Sequence, residues 1–117
     1  MITGDSNTAI GYNALHLADG AETGNTAVGY NALYSTDGDS SNDNTAVGYN
    51  AGQFATTAER STLIGTSAGQ GITGTKLTGN SNTAIGWRAG LLMQGASEDN
   101  TMLGAQAGDV ITTGDEN

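Results

Sequence analysis

The sequence predicts an all-β chain folded as a parallel β-solenoid, one repeat-array domain over residues 1–117, on three observations. One nine-residue unit recurs six times, each copy combines β-branched and small residues with glycine at a fixed place, and proline is absent while glycine reaches 19 of 117. Glycine at that level, without a Gly-X-Y period, excludes collagen, and the abundance of Thr, Val and Ile points to extended structure. Self-similarity at a fixed period is the signature of a stacked array.

The first unit is Asn7-Thr8-Ala9-Ile10-Gly11-Tyr12-Asn13-Ala14-Leu15, and further units begin at Asn25, Asn44, Ser61, Asn82 and Asn100. Successive starts are 18, 19, 17, 21 and 18 residues apart, so the repeat measures 17–21 residues. Thr, an aliphatic residue, Gly and Ala recur in every copy, whereas the position after the glycine runs Tyr, Tyr, Tyr, Thr, Trp, Ala.

Within a unit, Asn-Thr-Ala-Ile is too short for a helix and carries the β-branched side chains of a short strand. The aliphatic residue is expected to face inward, which makes Ile10, Val28, Val47, Ile64, Ile85 and Leu103 a buried ladder, with the alanines Ala14, Ala32, Ala51, Ala68, Ala89 and Ala107 a second, thinner one. The glycine that follows, Gly11, Gly29, Gly48, Gly65, Gly86 and Gly104, marks a bend, because a residue without Cβ permits positive φ or close backbone approach. A second short extended piece is expected at Ala14-Leu15 and its equivalents. Asn or Ser at the unit start is expected to form a hydrogen-bonded ladder between rungs.

Connecting segments differ in length, as a solenoid tolerates. Residues 35–43 and 70–81 read as surface loops, rich in Asp-Gly, Thr-Gly and Asn/Ser turn formers. Strands in neighbouring rungs lie about 4.7–4.9 Å apart, so six rungs make a stack of roughly 25–30 Å. Two ladders of small aliphatic groups are a meagre core, and with no cysteine for disulfides the expected supplement is association, as a homotrimer packed along its long axis.

The unit Asn-Thr-Ala-Ile/Val-Gly-x-x-Ala resembles the repeats in the heads of YadA-type trimeric autotransporter adhesins and in related bacteriophage tail-fibre proteins, and the likeness runs from Asn7 to Gly108. The resemblance implies a left-handed parallel β-roll, three chains side by side about a common axis, the aliphatic residue inward and the glycine at the bend. The adhesin-head repeat is shorter than the 17–21 residues found here, which implies longer connections or a different rung outline. An extracellular location, on a virion or a cell surface, follows from the same likeness.

Charge and composition restrict the chemistry. Twelve acids against Arg60, Lys76 and Arg88 give a formal charge of −9, which repels nucleic acid and anionic membrane. No window approaches a membrane span, and membrane insertion is not expected. The single histidine, His16, has no cysteine or second histidine with which to build a triad or a zinc site, and it is read as a packing or surface residue. Asp37, Asp39 and Asp43, Glu98 with Asp99, and Asp115 with Glu116 could present oxygens to Ca²⁺, but none matches a calcium loop and they are read as solvated. No metal, cofactor or enzymatic activity is assigned, since no acid/base pair recurs with a nucleophile or ligand set.

The expected function is that of a fibre or adhesive-appendage module that extends and presents a binding surface, with itself as first partner. An adhesive head is the alternative: Tyr12, Tyr30, Tyr49 and Trp87 offer apolar rings that could meet a host glycan or surface protein, or else stack between rungs. A third reading is ice binding, through the invariant Thr column 8, 26, 45, 62, 83 and 101.

Overall fold

The computed structural model describes residues 4–18, 22–36 and 41–111. Six three-residue strands, β1 (Thr8–Ile10), β2 (Thr26–Val28), β3 (Thr45–Val47), β4 (Thr62–Ile64), β5 (Thr83–Ile85) and β6 (Thr101–Leu103), form one parallel sheet in the order of the chain. Like pairs with like at every step, as in Thr8 with Thr26 and Ala46 with Leu63. The result is a β-solenoid of about five turns, in an envelope of 35 × 23 × 23 Å.

Each junction between rungs repeats the same six backbone bonds outside the strand ladder, four of them between residues of the nine-residue units. Between the first two rungs Thr8 N–H donates to the Asn25 carbonyl, Gly29 to Ile10, Asn31 to Tyr12 and Leu15 to Ala32, at 2.8–3.1 Å. The equivalent groups bond at the other four junctions. The invariant positions of the unit are thus those whose main chain is held at each level.

The strand alternates inside and outside with period two, in a sense opposite to the expected one. Ala27, Ala46, Leu63 and Ala84 are fully buried and Met102 nearly so, while Ile10, Val47, Ile64 and Leu103 are exposed and Val28 and Ile85 half-buried. The aliphatic ladder therefore lies on the outer face of a single chain, which corrects its assignment to the interior. The cause is the residue at the unit start. Asn25, Asn44, Ser61, Asn82 and Asn100 are buried and bonded from rung to rung, and a residue two places further along a strand shares their face whereas the third does not. Burying the amide ladder puts alanine inside and turns the aliphatic side chain out.

That amide ladder is the expected one. Asn25 Oδ1 accepts from Asn44 N–H at 2.9 Å, Asn44 Oδ1 from Ser61 N–H at 3.0 Å, Ser61 Oγ from Asn82 N–H and Asn82 Oδ1 from Asn100 N–H, both at 3.2 Å. The amide nitrogens donate to loop carbonyls, Asn25 to Ser41, Asn44 to Ala58 and Asn82 to Ser97. Buried polar groups with their partners in place fix the register of the stack as well as its stability.

The glycine bend is also present. The six glycines share φ between 120° and 136°. A Cβ built on Gly48 would stand 2.6 Å from the Gly65 carbonyl oxygen of the next rung. Both the backbone angle and the close approach therefore demand glycine.

After the bend the chain turns instead of extending, contrary to the second short strand expected at Ala14-Leu15. The Gly11 carbonyl accepts from Ala14 N–H at 3.4 Å, and Asn13 at the third position of this turn has φ 56°. A type II turn needs positive φ there, which asparagine tolerates better than most residues. The next left-handed position holds Leu15 and Leu33 in the first two rungs and glycine in the last four. The exchange follows the interior volume. Leu15 and Leu33 fill the first rungs opposite alanine, whereas Leu63 fills the fourth from the strand, where a Cβ on Gly69 would stand 2.5 Å from Leu63 Cδ2. In the third rung, where Ala46 faces Gly52, Leu33 and Leu63 from the rungs on either side close the space, each standing within 3 Å of a Cβ built on Gly52.

The alanine ladder is buried as expected at Ala32, Ala51, Ala68 and Ala89 and partly covered at its ends, Ala14 and Ala107. Segment 70–81 is only partly a surface loop. Residues 73–75 are exposed, with Ile72 and Thr75 bridged, but Leu77 returns to the core and bridges Ala55 and Gly95. In segment 35–43, Ser35, Thr36 and Ser41 are buried, and Asp37 and Asp39 lie outside the described residues.

Candidate functional surface

The outer face of the sheet carries two parallel columns, Thr8, Thr26, Thr45, Thr62, Thr83 and Thr101 beside Ile10, Val28, Val47, Ile64, Ile85 and Leu103. Both project there because they are separated by two residues on the same strand. Val47 and Ile64, in the middle of the stack, remain 36% and 37% exposed, while their inward neighbours Ala46 and Leu63 are at 0%. Sequence reasoning found both columns but placed only the threonines outside, so it missed that they form one face.

Past the glycine bend runs the aromatic column. Tyr12 and Tyr30 have ring centroids 5.3 Å apart with planes inclined by 14°, and Tyr30 and Tyr49 lie 5.1 Å apart at 9°. These distances follow the rung spacing, so the stacking is imposed by the backbone. The column is broken at Thr66 and resumes at Trp87, over whose ring the Arg88 guanidinium lies 5.3 Å from the centroid. The rings are exposed, yet the tyrosine faces are turned toward one another. Stacking covers both faces of Tyr30 and one face each of Tyr12 and Tyr49.

Beside the tyrosines, Asn13 Nδ2 donates to Asn31 Oδ1 at 3.2 Å and Asn31 Nδ2 to Asn50 Oδ1 at 3.3 Å. A parallel line of side chains joins His16 to Tyr34, stacked at 5.4 Å, and Gln70 Nε2 to Gln53 Oε1 at 2.7 Å. His16 thus packs on a neighbouring rung, as its isolation in the sequence suggests. Tyr34 was missed because it lies just outside the nine-residue unit.

Charge is segregated from this surface. All twelve acidic residues of the chain fall outside the six nine-residue units, and within those units Arg88 is the one charged side chain. The strand and bend faces are accordingly uncharged over most of their length. Among the described residues no group of three or more His, Cys, Asp or Glu is gathered for a metal, and no helix is long and apolar enough to cross a membrane. Asp115 and Glu116 lie outside those residues.

Tyr30→Ala, which removes two stacked pairs from an exposed ladder, is expected to cost a single chain about 1–3 kcal/mol at roughly 0.5–1.5 kcal/mol per pair. Denaturant melting checks this, and an effect near zero would show that the rings stack only because the rungs hold them there.

Compared with family models, with curated proteins and with solved structures, the chain matches none.

Proposed function

We propose that the chain is a structural module of an extracellular fibre or adhesive appendage, a homotrimeric β-roll whose copies pack side by side and extend a binding surface from a virion or a cell. The observation that carries this reading is the outward aliphatic column, continuous over six rungs, uncharged and bordered by stacked rings. A contiguous apolar stripe on a soluble chain marks a surface meant to be covered. Its regular rise suits another copy carrying the same stripe, and the acids between the units lie off that face, where solvent can screen them.

Light scattering tests the reading. The expected mass is three times that of one chain, falling to one chain in the pair Val47→Lys and Ile64→Lys, whose side chains face outward and whose removal leaves the interior intact. A monomeric wild-type mass would sink it.

Ice binding is a second reading, favoured by one observation: the Thr column is joined on the same in-register sheet by the aliphatic column, which makes a broader regular face than threonine alone. Thermal hysteresis in a monomeric sample, lost in Thr45→Lys, would favour it over the fibre module.

A further inference from the structure

Two side-chain ladders run past the glycine bend, and both stop at the fourth rung. The ring ladder reaches Tyr49, stacked on Tyr30, and the next rung offers Thr66 in place of a ring. The outer amide ladder passes from Asn13 through Asn31 to Asn50, and the next rung offers Ser67 in place of an amide. Asn50 Oδ1 accepts from Asn31, but its Nδ2 donates to nothing among the described residues. One face of Tyr49 and one donor of Asn50 are thus left unused beside the exposed Thr66.

On the far side of this gap stand Trp87 and Arg88. Backbone bonds hold the three levels in register, Ser67 N–H to the Tyr49 carbonyl at 2.8 Å and Arg88 N–H to the Thr66 carbonyl at 2.9 Å. Trp87 is half exposed, with the Arg88 guanidinium over its ring. No carboxylate among the described residues pairs with Arg88, and its buried Nε has no partner there.

The width of the gap selects its occupant. Rungs are about 4.8 Å apart, so Tyr49 and Trp87 stand roughly 9.6 Å apart along the axis. A ring placed level with Thr66 has about 4.8 Å to either wall, whereas flat rings in contact approach to about 3.5–4.0 Å. An aromatic ring would touch one wall and leave space at the other. A pyranose is puckered and carries axial C–H bonds, so it is thick enough to meet both. Its edge is a belt of oxygens that suits the Asn50 donor, and an unpaired guanidinium prefers a carboxylate to a neutral oxygen. The acids of the chain lie outside the six units, so Arg88 is the charge that belongs to this surface.

We propose that the fourth-rung gap is a glycan subsite that takes one pyranose ring bearing a carboxylate, between Tyr49 and Trp87, with Asn50 and Arg88 binding its edge. The subsite rests on the reading of the chain as an appendage that presents a binding surface, and it lies beyond the bend, off the strand face on which the copies pack.

Trp87 is the single tryptophan, so its fluorescence reports occupancy. The probes are sialyllactose and trigalacturonate, two sources of a carboxylated pyranose, with lactose as the neutral ring. At least one acidic sugar is expected to give a saturable change, at an affinity at least tenfold above that of lactose. Thr66→Tyr fills the gap with the ring found in three other rungs, and is expected to abolish the change while melting is undiminished. Arg88→Gln is expected to bring the acidic sugar down to the affinity of lactose. No saturable binding of either acidic sugar overturns the proposal, as does binding that survives Thr66→Tyr. A phenylalanine-rich peptide that binds more tightly than both sugars also overturns it, in favour of a protein partner. Scattering mass in the same samples keeps the two readings apart: a single chain that binds the acidic sugar keeps the subsite and removes the homotrimer, whereas a trimer that binds neither removes the subsite alone.

Discussion

Gly48→Ala is expected to lower stability by about 2–6 kcal/mol, the sum of backbone strain at roughly 1–3 kcal/mol and overpacking at roughly 1–3 kcal/mol. The strain arises because φ at Gly48 is 136°, and the overpacking because the new methyl would stand 2.6 Å from the Gly65 carbonyl oxygen and 2.7 Å from its carbon. That carbonyl is part of a junction bonded on both sides and cannot move without disturbing the next rung. Gly104→Ala separates the two effects. Its φ is 120°, but no described residue lies within 4 Å of the new methyl, so the strain of about 1–3 kcal/mol is what remains. Denaturant midpoints at matched protein concentration give the comparison. Equal losses at the two positions would show that the angle alone excludes a side chain, and that close stacking of the glycine column contributes nothing.

Asn44→Ala is expected to cost about 3–5 kcal/mol through the interior. Asn44 Oδ1 holds the Ser61 N–H at 3.0 Å, and its Nδ2 donates to the Ala58 carbonyl at 2.6 Å and to Asn25 Oδ1 at 3.1 Å. Alanine leaves the buried Ser61 N–H without its partner, at roughly 1–3 kcal/mol, removes two further buried hydrogen bonds at roughly 0.5–1.5 kcal/mol each so that the Ala58 carbonyl keeps only the 3.4 Å bond from Ser41 Oγ, and opens a small void. Asn31→Gly is the matching outer substitution. Its amide belongs to the part-buried outer ladder and its backbone is left-handed at φ 53°, which glycine adopts freely, so a change within about 1 kcal/mol is expected. Thermal melting with circular dichroism distinguishes the two. A mild effect at Asn44 would mean that water replaces the amide inside the rung, and that the inward face is set by alanine packing instead.

The two substitutions also locate what was legible in the chain. The nine-residue unit determined the strands, their number, their parallel order and their register, because units too small to bury themselves must stack like over like. It determined the glycine bend for the same reason, since one missing Cβ at a fixed place has few physical causes. The amide ladder was legible too, yet its consequence for parity was not drawn: Asn25 and Val28 are three residues apart on one strand and cannot both face inward.

The choice between them belonged to the tertiary structure. Size argued for burying the aliphatic residue, but the rung is narrow, and its interior is filled by amides, alanines and a few large side chains such as Leu33 on the turn and Leu63 on the strand. Tertiary structure likewise replaced the second strand with left-handed turns at Asn13 and Leu15, where local pattern does not distinguish a turning leucine from an extended one. It brought Leu77 from a polar connection into the core through its bridges to Ala55 and Gly95. Repetition is a property of the sequence and dictates stacking by itself. Which side of each strand faces inward depends on the volume enclosed by a whole rung, and that volume exists only once the turns have closed it.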